Sequence, residues 1–211
     1  MPVNYAVKAT VVDLRLDTPK AGDRFYVDTN AWFWTVYSKL RLLPPSSNKK
    51  EKPDYPAYLK KVLNMGGQLH WCGLSLAELA HLIESTEFEI YRNTHPTSVI
   101  SLAKEYRHNL TGERANVVSE IKLAWSQIET MGSCIAVAEI NTASTTAALQ
   151  NFEQLPVDGY DLFSINAFKA AGITQVISDD GDFCAVPGIT LFTANPTVIS
   201  ASHAQNRFRR R

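Results

Sequence analysis

Short apolar runs with a period of two, or none, alternate along this chain with longer stretches of helical period. That alternation is the first thing to interpret. Tyr5, Val7, Ala9 and Val11, followed by Val12, Leu14 and Leu16, are two period-two registers meeting at a bulge, and they predict an N-terminal strand or arm. Turn chemistry at 19–23 precedes Arg24-Phe25-Tyr26-Val27, a short strand ending at Asp28-Thr29-Asn30. Residues 31–43 are apolar nearly all round (Trp32, Phe33, Trp34, Val36, Tyr37, Leu40), so the pattern predicts a helix buried on more than one side, part of it available to a partner. Residues 44–56 are polar and proline-rich and predict an exposed insertion. A helix resumes at 58–63 and stops at Gly66-Gly67. Residues 68–74 then predict a strand whose exit, Ser75 to Glu78, opens a helix running to about Tyr91.

Further on, Pro96 starts a predicted helix to about Asn109, broken at Gly112. Val117, Ile121, Ala124, Trp125 and Ile128 stripe another. A short strand falls within 131–139 and a helix at 142–155. After a turn at 156–160, a helix at 161–171 is closed by Gly172. The run Gln175-Val176-Ile177 ends at a hydroxyl and a burst of acid, Ser178-Asp179-Asp180-Gly181-Asp182, and residues 189–193 form the last strand. Strands alternating with helices predict an α/β fold, three layers in α/β/α order around a central, mostly parallel sheet, with an N-terminal strand or arm added. The expected divisions are an arm at 1–24, a domain at 25–194 and a basic tail at 195–211 carrying Arg207, Arg209, Arg210 and Arg211.

Composition narrows the function. A chain of 211 residues can bury one sizeable core. Its 45% hydrophobic and 10% aromatic content is that of a globular domain. Formal net charge is +0, which excludes nucleic-acid binding through bulk positive charge and leaves only local contacts. Cys72, Cys134 and Cys184 stand far apart, so neither a disulfide framework nor a zinc knuckle is suggested. With no apolar run near the ~18 residues of a membrane span and no signal pattern, a cytoplasmic protein with no membrane partner is expected.

The chemistry lies in the acids. Asp28, Glu78 and the Asp179–Asp182 cluster each follow a predicted strand, and Asp161 opens the helix leading into the most acidic one. Each has an ordinary explanation: Asp28 as a helix cap, Ser75-x-x-Glu78 as a capping box, Asp161 as a charge favoured by a helix N-terminus, and 179–182 as turn composition. None of these explanations requires the acids to converge. In an open parallel sheet, however, the carboxyl ends of the strands share one crevice, where ligands bind.

Taken in order, Phe25-Tyr-Val-Asp28-Thr-Asn30, Leu74-Ser-Leu-Ala-Glu78-Leu, Tyr160-Asp161-Leu-Phe-Ser-Ile-Asn-Ala167 and Val176-Ile-Ser178-Asp-Asp180-Gly-Asp182-Phe183 resemble the PIN-domain family of metal-dependent ribonucleases. The match spans about 25–194, and its hydroxyl-x-Asp-x-Asp-Phe block favours Asp180 over Asp179. The resemblance implies a PIN-like fold and hydrolysis, usually of RNA, leaving a 5′ phosphate. It implies Asp28, Glu78, Asp161 and Asp180 as catalytic metal ligands, Asp182 as a further ligand, and Asn30 and Ser178 in support. The arm and the 44–56 insertion exceed the compact VapC-type toxins of toxin–antitoxin pairs. An inhibitory antitoxin and a homodimer are the protein partners this reading admits. Converging carboxylates without basic partners call for a divalent cation, and an all-oxygen donor set suits Mg2+ or Mn2+.

Three rival readings remain. A catalytically silent PIN-fold module for RNA or protein binding needs no intact acids. A di-iron carboxylate protein would use Glu78-x-x-His81 and Glu105-x-x-His108. An aspartyl phosphotransferase would use Asp28, although position 30 is Asn where an Asp-x-Asp would place acid.

Overall fold

The computed structural model describes residues 3–136 and 140–211. Among the described residues, six strands form one sheet in the order β1-β6-β5-β2-β3-β4. They are β1 (Thr10–Asp13), β2 (Arg24–Val27), β3 (Gln68–Cys72), β4 (Ser133–Ile135), β5 (Gln175–Ile177) and β6 (Thr190–Thr193). All the strand pairings are parallel, with Tyr26 opposite both His70 and Val176. Parallel strands need crossovers, which helices supply from β2 through to β5: α1 (Thr29–Val36), α2 (Asp54–Asn64), α3 (Gly73–Thr94), α4 (Ala103–Asn109), α5 (Thr111–Met131), α6 (Thr142–Phe152) and α7 (Gly159–Ala170); α8 (Pro196–Ala204) follows the last strand. No helix among the described residues is long and apolar enough to cross a membrane.

The period of two sorts the core into two layers. Phe25, Val27, Leu69, Ile177 and Phe192 face one side, where Trp32, Phe33, Tyr55, Leu59, Leu79 and Ile83 from α1, α2 and α3 cover them. Tyr26, Cys72, Val176 and Leu191 face the other, under Leu162, Ile165, Phe168 and Val198 from α7 and α8. This is the three-layer α/β/α arrangement expected. Chain order leaves β2 in opposite directions, to β3 on one side and β5 on the other. The carboxyl ends of β5, β2 and β3 therefore flank the switch point where such sheets form a crevice.

Several boundaries differ from the sequence pattern. Helix α1 stops at Val36, with one 3-10 turn at Leu40–Leu42, instead of running to residue 43. Helix α2 begins at Asp54, so the insertion is 43–53, and Tyr55, within the stretch expected to be exposed, is fully buried. Pro96 opens no helix, because residues 96–102 stay irregular until α4. The break after α4 falls at Leu110, and Gly112 lies just beyond it in the first turn of α5, where a helix tolerates it. Of the strand expected at 131–139, β4 occupies Ser133–Ile135, and 137–139 lie outside the described residues.

The tail is docked on the fold, although Arg207, Arg209 and Arg210 are exposed. Arg209 N–H donates to the Val11 carbonyl (2.8 Å), Phe208 bridges to Val11, and Arg211 binds Asp17 and Asp23. The aromatic cluster of α1 is mostly core: Trp32 and Tyr37 are buried, and half-buried Trp34 is covered by Tyr55 and the Lys52 ammonium.

Candidate functional site

Asp28 sits immediately after β2, and the two hydroxyl residues beside it fix its carboxylate. Thr29 N–H donates to Oδ1 (2.8 Å) and Ser178 Oγ to Oδ2 (2.7 Å). Ser178 is the first residue beyond β5, next to β2 in the sheet, so strand pairing delivers it. Its Oγ also accepts the Asp180 N–H (2.9 Å), and Asp180 Oδ1 accepts the Asp182 N–H (2.9 Å), capping the 3-10 turn Gly181–Ala185. From the other side, Thr29 Oγ1 donates to Glu78 Oε2 (2.5 Å). Two hydroxyls thus tie the ends of β2, β5 and the start of α3 into one polar chain. Asn30 follows in the first turn of α1, half-buried.

Glu78 is not part of a capping box. Strand β3 runs into α3 without a loop, so the N-cap is Cys72 and Ser75 is the residue that closes the cap. Glu78 lies a turn further in, and capping does not account for it. Asp179, in turn, is held by the Lys52 ammonium and by Tyr55 Oη (2.7 Å). Asp180 instead is within electrostatic range of Asp28, Glu78 and Asp161.

Pattern reading treated 156–160 as a plain turn and missed Asp158. It caps α7, accepting the Tyr160 and Asp161 N–H groups (2.9 and 3.1 Å). Its charge raises the pKa values of Glu78, Asp161, Asp180 and Asp182. The available signal was the Asp158–Asp161 spacing, which puts two acids on the first turn of one helix.

The electrostatics of this group are those of like charges in a poorly solvated place. Burial, then Glu78 and Asp180, push Asp28 up to about 8. Burial, then Asp28, Asp158, Asp180 and Glu78, push Asp161 up to about 10. A helix N-terminus favours ionised Asp161, but burial and four neighbouring carboxylates outweigh it. Glu78, Asp180 and Asp182 are also raised, burial being the first cause in each. Among the described residues, no Lys, Arg or His forms an ion pair with Asp28, Glu78, Asp158, Asp161, Asp180 or Asp182.

A donor set of carboxylate oxygens with no competing cation matches what Mg2+ or Mn2+ takes. Among the described residues, no three His, Cys, Asp or Glu side chains are drawn into a closed ligating cluster. The acids are neighbours at electrostatic range, as expected of mutually repelling groups, and a small cation would have to draw them inward.

The di-iron alternative fails on packing. His81 and His108 are exposed, and the Glu105 carboxylate accepts the Ser101 and Leu102 N–H groups (3.0 and 3.1 Å) as a helix cap. It also has no place for a parallel sheet.

The arm reaches the acid turn. Lys8 and Ala9 N–H both donate to the Cys184 carbonyl (2.9 Å each), and Gln205 pins the Tyr5 carbonyl and the Val7 N–H. The Tyr5 ring then packs on Gly181 so closely that a Cβ there would overlap it. Burial and the charges of Asp180 and Asp182 raise the Tyr5 phenol above its ordinary pKa. Gly181→Ala should therefore expel the ring. Because Tyr5 can swing outward, the stability cost should stay within about 1 kcal/mol, while protease cleavage before Val7 accelerates. An unchanged limited-proteolysis time course would refute the packing.

No family model matches the chain, and no curated protein does. Among solved structures it is similar to VapBC2 from Rickettsia felis, bound to a DNA fragment from their promoter. The TM-score is 0.48 at 13% identity, covering 81% of this chain and 98% of that one. A likeness at that level carries no information about the chemistry.

Proposed function

We propose that this chain is a metal-dependent endoribonuclease of the PIN type. The observation that supports it is the gathering of Asp28, Glu78, Asp158, Asp161, Asp180 and Asp182, from four separate segments, at the carboxyl edge of β5, β2 and β3. Asp28, Glu78, Asp161 and Asp180 would hold Mg2+ or Mn2+, with Asp182 and Asp158 at the rim. When bound, such an ion supplies hydroxide from water near neutral pH and stabilises charge on a phosphodiester. The protein's own part is positional. Ser178 and Thr29 fix Asp28 and Glu78 by donating to them, and Ser178 fixes the backbone of Asp180 by accepting its N–H. Burial keeps the carboxylates poorly hydrated, so they favour a cation over water.

With Mg2+ or Mn2+, the protein should cut labelled single-stranded RNA into fragments with 5′ phosphates, and chelation should stop it. Glu78→Gln should cost more than about a hundredfold in rate, because even outer partners of metal ligands are worth 10–100-fold. Equal cutting by wild type and Glu78→Gln would assign the activity to a contaminant. The finer assignment, the toxin of a toxin–antitoxin pair, rests on the sequence resemblance. Expression of wild type but not Glu78→Gln should then arrest growth, and unaffected growth removes that role alone. A second reading, a silent PIN-fold RNA-binding or interaction module, is favoured by the absence of a closed three-ligand cluster among the described residues. Binding of RNA with no metal-dependent cutting would select it.

A further inference from the structure

Beside the acids lies a hollow that none of the chemistry above uses. Its volume is about 520 Å3, and Leu74, Ile140, Asp158, Gly159, Tyr160 and Phe163 line it. The wall is almost wholly apolar, yet Asp158, whose charge acts on Glu78, Asp161 and Asp180, belongs to it. Hollow and acid group are therefore continuous. Tyr160 stands 51% exposed at the rim, and Phe163, one turn along α7, is half-buried beneath.

We propose that this hollow receives an unstacked base of single-stranded RNA, the nucleotide flanking the scissile phosphate, with Tyr160 as the stacking surface. The proposal rests on the nucleic-acid reading of the acid site. Three observations favour a base over an apolar side chain of a protein partner. First, Asp158 lines the hollow and accepts the Asp161 N–H (3.1 Å), so a strand whose phosphodiester lay at the acids would pass the hollow's rim. Second, the chain has a formal charge of +0, and among the described residues no Lys or Arg lines the hollow. Phosphate attraction cannot supply the affinity, whereas stacking can. Third, a half-exposed tyrosine and a half-buried phenylalanine in the same wall offer flat π faces, which every base can use.

The test uses single-stranded ribo-oligonucleotides carrying one 2-aminopurine at successive positions, whose fluorescence falls on stacking. Titrations run with the full chain in chelator, and again with calcium. Wild type should quench the probe at one position and not at the others. Tyr160→Ala should weaken binding by about tenfold and abolish the quench, while Tyr160→Phe and Tyr160→Trp retain both. Unchanged circular dichroism and melting temperature in Tyr160→Ala exclude misfolding. Equal affinity and quenching by Tyr160→Ala would overturn the proposal. So would a concentration-dependent self-association that Tyr160→Ala abolishes while RNA affinity is unaltered, since the hollow would then be a protein interface. A chain that quenches the probe through Tyr160 but never cuts RNA upholds this inference and sinks the nuclease reading.

Discussion

Asp28→Asn is expected to raise the melting temperature of the metal-free protein while removing its metal-dependent cutting of RNA. Asp28 is almost completely buried, and burial and the charges of Glu78 and Asp180 lift its pKa to about 8. An acid raised in this way binds its proton more tightly folded than unfolded. Well below the ordinary carboxyl value of 3.8, both states are protonated and folding loses nothing. As pH climbs toward 8, the unfolded chain ionises freely while the folded chain must hold the proton or bury the charge. Stability therefore falls across that window, by up to about 1.4 kcal/mol per pH unit for each such group. Asparagine pays none of this, and its amide oxygen can still accept one of the two hydrogen bonds, from Thr29 N–H or Ser178 Oγ. The difference between variant and wild type should be smallest at pH 4 and widen by several degrees toward pH 8.

Asp161, lifted to about 10, should behave likewise over a longer range. Scanning calorimetry of wild type, Asp28→Asn and Asp161→Asn in chelator from pH 4 to 9 measures both. An Asp28→Asn protein no more stable than wild type at pH 8 would refute the buried-charge account. Adding Mn2+ should then stabilise wild type more at high pH than at low, because ligands must be ionised to bind, and should stabilise Asp28→Asn little. A site that costs the empty fold stability and regains it with its ion is built for binding, not for the fold.

How much of this was legible in the sequence follows from which interactions are local. Strand β2, strand β5 and the acids ending them could be read because an apolar run that stops at acid is a local pattern. The parallel sheet followed from strands alternating with helices. What could not be read depends on contacts between distant segments. Glu78 looked like a cap until β3 was seen to enter α3 without a loop, moving the cap to Cys72. Asp158 looked like a turn residue, because only the folded chain brings it beside Glu78 and Asp180. Lys52 fell in a stretch expected to be an exposed insertion, yet it pins Asp179 from 127 residues away. Tyr55 was assigned to an exposed insertion, although its hydroxyl meets Thr193 (3.2 Å) and accepts the Ala194 N–H (3.0 Å). Polar contacts of that separation leave no periodicity behind.

The tail gives the second large effect, and it concerns stability instead of RNA. Arg211 places its guanidinium against two carboxylates at once. Nε and Nη2 donate to Asp17 (2.8 and 2.9 Å), and Nη1 and Nη2 donate to Asp23 (3.1 and 2.8 Å). The guanidinium also lies over Phe192, 4.8 Å from the ring centre. Asp23 leads into the start of β2, so this clamp is at the edge of the sheet opposite the acids, too far to track a substrate bound there. Asp17 is 1% exposed, and removing its cation leaves a buried charge offset by Tyr58 Oη and by the Lys61 ammonium, which donates to the Asp17 carbonyl. Breaking a buried pair costs about 3–5 kcal/mol, and because Arg211 keeps 20% of its side chain in solvent we expect about 2–4 kcal/mol for Arg211→Ala. Arg211→Lys should recover less than half, since one ammonium cannot reproduce a fork bridging two carboxylates. Urea unfolding measures both, and the double variant with Asp17→Asn should cost less than the sum of the single ones, because the orphaned charge is gone. The salt dependence of RNA binding should be the same with and without residues 207–211. A loss under about 0.5 kcal/mol together with a shallower salt slope would instead make the tail a phosphate-binding arm.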